Sequence, residues 1–171
     1  MNSLDAFRLD GKVALVTGAS AGLGAAIAVA LAEAGADVAC HGNSRAPDAT
    51  CDAIARLGRR TAAVRGDLGD REVSRTLVQA TEREIGLIDI LNEWAGKGVN
   101  VNAIAPGYIR TGNTLALQRD ETRNRQAVER IPAGRWGDPA DVAGAAVFLS
   151  SSASDYVHGH VLVVDGGWMG R

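Results

Sequence analysis

"IDILNEWAGKGVNVNAIAPGYIRT", residues 88–111, holds two apolar runs that both read as buried strands, with only a short polar stretch between them. Adjacent parallel strands need a crossover of roughly a dozen or more residues. Between Leu91 and Val99 there are seven, residues 92–98. A link of that length allows a hairpin. A hairpin would make a strand over 99–105 antiparallel to one over 87–91, so the stretch is not an ordinary strand connection of a parallel sheet. Pro106-Gly107 would then point to the sheet edge opposite the one that Gly18 faces. Two explanations stand open: a segment has been lost from a longer chain, or the second half packs in an unusual way.

Working outward from that stretch, the N-terminal side alternates regularly. "KVALVT" (12–17), "ADVACHG" (36–42), "TAAVRGD" (61–67) and "LIDIL" (87–91) are β-rich apolar runs, the pattern of strands buried on both faces. Between them lie an Ala-rich helix closed by Gly35, a helix that Gly58 can cap, and a helix over 71–85. The last of these keeps Val73, Leu77, Ala80, Glu84 and Ile85 near one face. Such alternation is the sequence form of a doubly wound parallel sheet. On the C-terminal side follow a "PGYIRTGN" loop, an Arg-rich helical segment near 114–130, a helix with Asp138 as N-cap and Pro139 in its first turn, and a strand over 160–167. No repeat or linker divides the chain, so residues 1–171 read as one domain.

The chemistry begins at "TGASAGLG" (17–24), directly after a strand and directly before a helix. Glycines there let backbone approach a pyrophosphate, with the helix N–H groups and dipole facing the anion. The spacing is G-x-x-x-G-x-G. A ligand-free tight turn is the plainer alternative, and the alternating units around it favour the phosphate cradle.

This loop resembles that of the short-chain dehydrogenase/reductase family. The resemblance continues through "GDL" (66–68), "GLIDIL" (86–91), "VNAIAPGYIRT" (101–111) and "VDGG" (164–167), in the family's order. It implies an α/β, Rossmann-like fold and hydride transfer between an alcohol and a ketone, with NAD or NADP as cofactor. Gly18, Ser20, Gly22, Leu23 and Gly24 would line the cofactor. Asp67 and Leu68 would meet the adenine, and Pro106, Gly107, Ile109 and Thr111 the nicotinamide end. "RIPAGRWGDPAD" and "SSASDYVHGHVLVVDGGW" are similar to the branch acting on small sugar acids of the 2-dehydro-3-deoxy-D-gluconate and 2-deoxy-D-gluconate type. Arg135 is then a candidate to hold the substrate carboxylate through its planar fork, with Arg110 the weaker choice. The end of the second strand, "HGNSR" (41–45), has no acid to select NAD, and Arg45 could favour a 2′-phosphate; both cofactors stay open.

Against the family's pattern, the catalytic group is missing. The family's proton transfer needs a tyrosine, a lysine four residues on that stabilises its phenolate, and a serine beside them. Here Tyr108 and Tyr156 are followed four residues later by Gly112 and His160, and the only lysines are Lys12 and Lys97. No catalytic residue is assigned. By comparison with the family about 80 residues are absent, so the sheet is expected to be incomplete, lacking one central strand and its helices between 91 and 99. The chain then reads as an inactive dehydrogenase or as a nucleotide-binding or subunit-pairing remnant.

Composition narrows the remaining classes. The chain is 46% hydrophobic, 4% aromatic and 22% charged with net charge −2, so it has neither a disordered composition nor a basic footprint for nucleic acid or anionic membrane. The start "MNSLDAFRLDGK" has no signal-peptide form and no run is long enough to span a bilayer, which predicts a cytoplasmic protein. Cys40 and Cys51 read as reduced, partly buried thiols, and no metal site is expected. The expected partners are a small sugar acid and a second copy of the chain, joined through the last strand and helix 139–149.

Overall fold

The computed structural model describes residues 4–86 and 101–170. The first half alternates as expected: β1 (Val13–Val16), α1 (Gly22–Glu33), β2 (Asp37–Gly42), α2 (Asp48–Arg56), β3 (Thr61–Arg65) and α3 (Arg71–Ile85). The second half has β4 (Ala103–Pro106), α4 (Leu115–Arg119), α5 (Glu121–Arg130), α6 (Pro139–Ser150) and β5 (Val161–Val164). All ladders are parallel: β2 lies between β1 and β3, and β4 pairs with β5. The strand expected over 87–91, the start of that expected over 99–105, and the proposed gap between 91 and 99 lie outside the described residues.

The apolar runs bury both faces of the first sheet. Val38 and Cys40 of β2 face α1 and α2 with Leu31 and Ile54, while Ala39 and Val64 face α3 with Leu77 and Ile85. Glu84 of α3 is exposed and paired with Arg83, because a carboxylate keeps its water where the helix end allows it. Asp37 is buried at the head of β2, held by the Arg60 N–H at 2.9 Å and the guanidinia of Arg60 and Arg59 at 2.8 and 3.3 Å. The Arg-rich segment is two helices rather than one. Asp120 breaks it and caps α5 by accepting the Arg123 N–H at 3.0 Å.

α6 packs along α1 and joins the halves. Its start is a reciprocal capping box between Asp138 and Asp141, with Pro139 in the first turn as expected. Two contacts fix the sense of the strands. Before β1, the Ala6 carbonyl accepts a hydrogen bond from Ser152, which precedes β5. Beyond β1 and β4, Gly22 and Thr111 meet: a Cβ on Gly22 would lie 3.5 Å from the Thr111 methyl carbon. Since β4 and β5 are parallel, all five strands point the same way.

The expected consequence of a hairpin, that Pro106-Gly107 points away from Gly18, therefore does not hold, while the relation of β4 to residues 87–91 lies outside the described residues. β4 starts at Ala103 rather than at 99, and α3 has already returned the chain to the start of the sheet, where Gly86 lies beside Val13. Pro106-Gly107 opens toward the end of the sheet that carries Gly18.

Candidate functional site

The glycine loop is held by main-chain demands that other residues cannot meet. Gly18 and Gly22 have φ of 67° and 60°, and a Cβ on Gly24 would overlap the Gly18 carbonyl oxygen and lie 2.7 Å from its carbon. α1 starts from Ala21 in extended conformation with no side-chain cap, so its first N–H groups are open to an anion. That uncapped terminus is the observation that fits a pyrophosphate.

Neighbouring strands pin this loop. The Ala19 N–H donates to the His41 carbonyl at 2.8 Å and the Ala19 carbonyl accepts from the Thr50 hydroxyl at 2.7 Å. The His41 ring reaches the Gly66 carbonyl at 2.9 Å through Nε2, which must carry the proton because a carbonyl only accepts. One residue thus ties the glycine loop to the turn carrying Asp67 and Leu68. Those two are exposed at the end of β3, with Asp67 accepting the Gly69 N–H at 2.9 Å.

Ser20 donates to the Arg45 carbonyl at 2.6 Å, curling the segment after β2 around the loop. Gly42 makes this possible: a Cβ there would overlap both the Arg45 carbonyl and the Ser20 hydroxyl. The corner presents the exposed Arg45 side chain and no carboxylate on residues 41–45. Leu23 is half-buried in the first turn of α1.

Across the cleft, Pro106 is exposed at the end of β4 and Gly107 presses so closely on β5 that a Cβ would lie 2.7 Å from the Asp165 Cα. Ile109 turns inward: it is buried against Gly137, to which it is bridged. Thr111 is brought to Gly22 by a turn that Thr114 locks. The Thr114 hydroxyl accepts the Thr111 N–H at 3.0 Å and donates to the Ile109 carbonyl at 2.8 Å.

Arg135, the candidate for the substrate carboxylate, is engaged by a carboxylate of the chain itself. Its fork is taken by Asp141 at 2.7 and 3.0 Å, and it donates to the Trp136 carbonyl at 3.0 Å. Asp141 also accepts the Asp138 N–H at 2.7 Å. The Arg135 hydrogen bonds, then the Asp138 N–H, hold the Asp141 carboxyl down to about 2. A depressed carboxylate stabilises above its ordinary pKa and loses that contribution as pH falls through about 2. Arg135→Ala is expected to return the Asp141 titration toward the ordinary carboxylate range, as read by carboxyl-carbon NMR; an unmoved titration would show the pairing to be weak. Arg110 pairs with Asp138 at 3.5 Å.

No tyrosine–lysine pair occurs among the described residues. Tyr108 is edge-on to Trp136 at 5.2 Å and tilted against Trp168 at 4.9 Å, while Tyr156 is 101% exposed. Lys12 sits at the start of β1, the far end from the glycine loop, and Lys97 lies outside the described residues. No cluster of three or more metal-ligating side chains occurs among the described residues. None of their helices is long and apolar enough to cross a membrane. Burial, first of all, and the adjacent Cys51 push the Cys40 thiol up to about 12, so it is a packing residue rather than a nucleophile.

The uncapped helix, the close glycines and the carboxyl ends of parallel strands together define a dinucleotide-binding α/β fold. Comparison narrows that class. The family described as short chain dehydrogenase matches residues 12–96, and that described as Enoyl-(Acyl carrier protein) reductase matches 92–169. A 2-dehydro-3-deoxy-D-gluconate 5-dehydrogenase from Dickeya dadantii is 33% identical over 252 residues, covering 98% of this chain and 99% of the relative. The chain belongs to the short-chain dehydrogenase/reductase family. A putative 2-deoxy-D-gluconate 3-dehydrogenase from Agrobacterium tumefaciens, solved with bound NADP, is 38% identical with TM-score 0.82, covering 97% of this chain and 99% of that one. A gluconate 5-dehydrogenase from Burkholderia cenocepacia, in complex with NADP and tartrate, is 26% identical with TM-score 0.88, covering 99% and 100%. An alignment of 252 residues against a chain of 171 leaves about 80 positions of the Dickeya relative without a counterpart here.

Proposed function

We propose that this chain is a sugar-acid dehydrogenase by descent that keeps the nucleotide cleft and has lost the proton-transfer step. The observation that carries the reading is Thr111 closing on Gly22: two segments far apart in sequence still border one loop, while no tyrosine stands four residues before a lysine. The relatives act on 2-dehydro-3-deoxy-D-gluconate, 2-deoxy-D-gluconate or gluconate by name, which supports a small sugar acid as the ancestral substrate.

The chemistry that a bound nicotinamide supplies is hydride transfer. In this chain the α1 N–H groups and Gly18, Gly22 and Gly24 would hold the pyrophosphate, with Ser20 and Leu23 along the cofactor. Asp67 and Leu68 would meet the adenine, and Pro106, Gly107, Thr111 and the Ile109 main chain would border the nicotinamide end. An alcohol carbon cannot give up its hydride to form a ketone without a base to take the hydroxyl proton. The family's base is a phenol whose pKa a lysine lowers. Tyr108 is packed between indoles instead, and the two lysines stand outside that role.

At the ribose, Arg45 beside Ser20 favours NADP over NAD, since a guanidinium suits a phosphate and residues 41–45 carry no acid. Arg45→Ala is expected to lower the NADPH-to-NADH affinity ratio about tenfold, ~1.4 kcal/mol. Calorimetric titration gives that ratio, and an unchanged ratio rejects the assignment. The whole reading is tested by pairing the titration with an absorbance assay on a 3-deoxy-2-keto sugar acid. Binding without oxidation or reduction is expected; turnover refutes the loss of catalysis, and no binding refutes the retained cleft.

A further inference from the structure

His41 is the one histidine inside the protein: it is 3% exposed, whereas His158 and His160 lie open to water just before β5. It stands near the end of β2, and strand alternation puts its ring on the α3 side together with Ala39. The two ring nitrogens are in unlike positions. Nε2 donates to the Gly66 carbonyl at 2.9 Å, while Nδ1 is buried with no hydrogen-bond partner. Among the described residues no other buried side-chain nitrogen or oxygen is left so.

A neutral ring fits this seat, because a bare Nδ1 forgoes one hydrogen bond and carries no charge. A second proton does not fit. It would make Nδ1 a buried donor with no acceptor, on a ring that has become a cation. No carboxylate is placed to meet it. The charged side chains described on the surrounding elements are Arg45 after β2, Arg65 at the end of β3, Asp67 and Asp70 in the next turn, and Glu72 and Arg75 early in α3, all of them exposed. β1 and the glycine loop carry none. Asp67 and Asp70 each accept a main-chain N–H instead, from Gly69 and Glu72. A ring that swings out to hydrate Nδ1 gives up the Gly66 carbonyl and frees the turn bearing Asp67 and Leu68. It also loosens the strand end whose own carbonyl holds the Ala19 N–H of the glycine loop.

We propose that His41 is a positioning residue for the nucleotide, competent only as the neutral ring with its proton on Nε2, and that nucleotide affinity falls when the ring takes a second proton. The inference rests on the nucleotide cleft proposed above and adds a proton-sensitive tie between its two walls. The sign follows from the geometry. Binding is at full strength while the ring is neutral, and it weakens as the pH drops through about 8 to 5, the range in which histidines ordinarily change charge.

The test compares NADPH affinity of the full chain and of His41→Gln by calorimetry at roughly pH 8 and pH 5. A glutamine amide can donate where Nε2 stood and does not titrate. The 2′-phosphate of the nucleotide, His158 and His160 titrate alike in both samples, so the ratio of the two affinities isolates His41. The variant is expected to bind about threefold more weakly at the higher pH, and the wild type to lose about tenfold more affinity than the variant on going to the lower one. Nitrogen-15 spectra of the wild type without nucleotide decide the matter if His41→Gln does not fold. They should show the His41 proton on Nε2 at the higher pH, and Gly66 and Asp67 amide resonances that shift along with the ring's own titration. A proton on Nδ1, amides that stand still while the ring titrates, or an affinity ratio that does not change with pH would overturn the proposal and leave the cleft reading intact. A wild type that binds no NADPH at either pH would overturn both.

Discussion

Gly24→Val is expected to abolish nucleotide binding and to lower the melting temperature. The Cβ at position 24 would fall on the Gly18 carbonyl, and both partners are main chain, so no rotamer change relieves the overlap. Either α1 slides away from β1 or the loop opens. Overpacking of this kind costs about 1–3 kcal/mol. The larger effect is on function, because the displaced groups are the open N–H donors of the α1 terminus. Losing that cradle should weaken NADPH by more than about a hundredfold, ~2.7 kcal/mol. Gly144→Ala gives the contrast: no atom lies within 4 Å of a Cβ there, and the helix interior favours alanine by about 0.5–1 kcal/mol. It should stabilise the chain and leave affinity unchanged. Calorimetry and thermal denaturation of the two variants read both effects, and a Gly24→Val protein that binds normally would show that the loop is not the cradle.

Trp136→Ala is the second large change. Trp136 is 2% exposed, donates its indole N–H to Asn124 Oδ1 at 2.7 Å, and receives the edge of Tyr108. Truncating a buried tryptophan costs about 3–5 kcal/mol. The loss falls on the segment that positions the cleft, because Gly137 next to it bridges Ile109, two residues before Thr111. The variant should therefore lose stability and nucleotide affinity together, by urea unfolding and titration. Asn124→Ala, which removes one hydrogen-bond partner, should cost about 1 kcal/mol. Equal losses from the two would mean that the hydrogen bond, not the ring, holds the segment.

Much of this was legible in the residues. The alternation from Val13 to Ile85, the Gly35 and Gly58 helix ends, and the Asp138–Pro139 start of α6 follow from periodicity and caps, which are local. The glycine loop was legible for the same reason. The pairing of Arg135 was not legible, because a guanidinium fork suits any carboxylate, and here it holds Asp141, six residues on. Thr114, His41 and Gly42 were missed because their roles lie in particular contacts: a lock on Thr111, a tie between two loops, and room for the Arg45 carbonyl. The side of the sheet to which Pro106-Gly107 opens was not legible from the count of seven residues. That side is set by the contact of Thr111 with Gly22, which joins residues far apart in the chain.

The contact between Thr111 and Gly22 bears the weight of the whole account, since it makes one cleft out of two segments far apart in sequence. A carbon-edited nuclear Overhauser spectrum of the full chain, with Thr111 methyl-labelled, measures it directly. A cross-peak between the Thr111 methyl and the Gly22 α-protons is expected, and its absence in a folded sample would contradict the account.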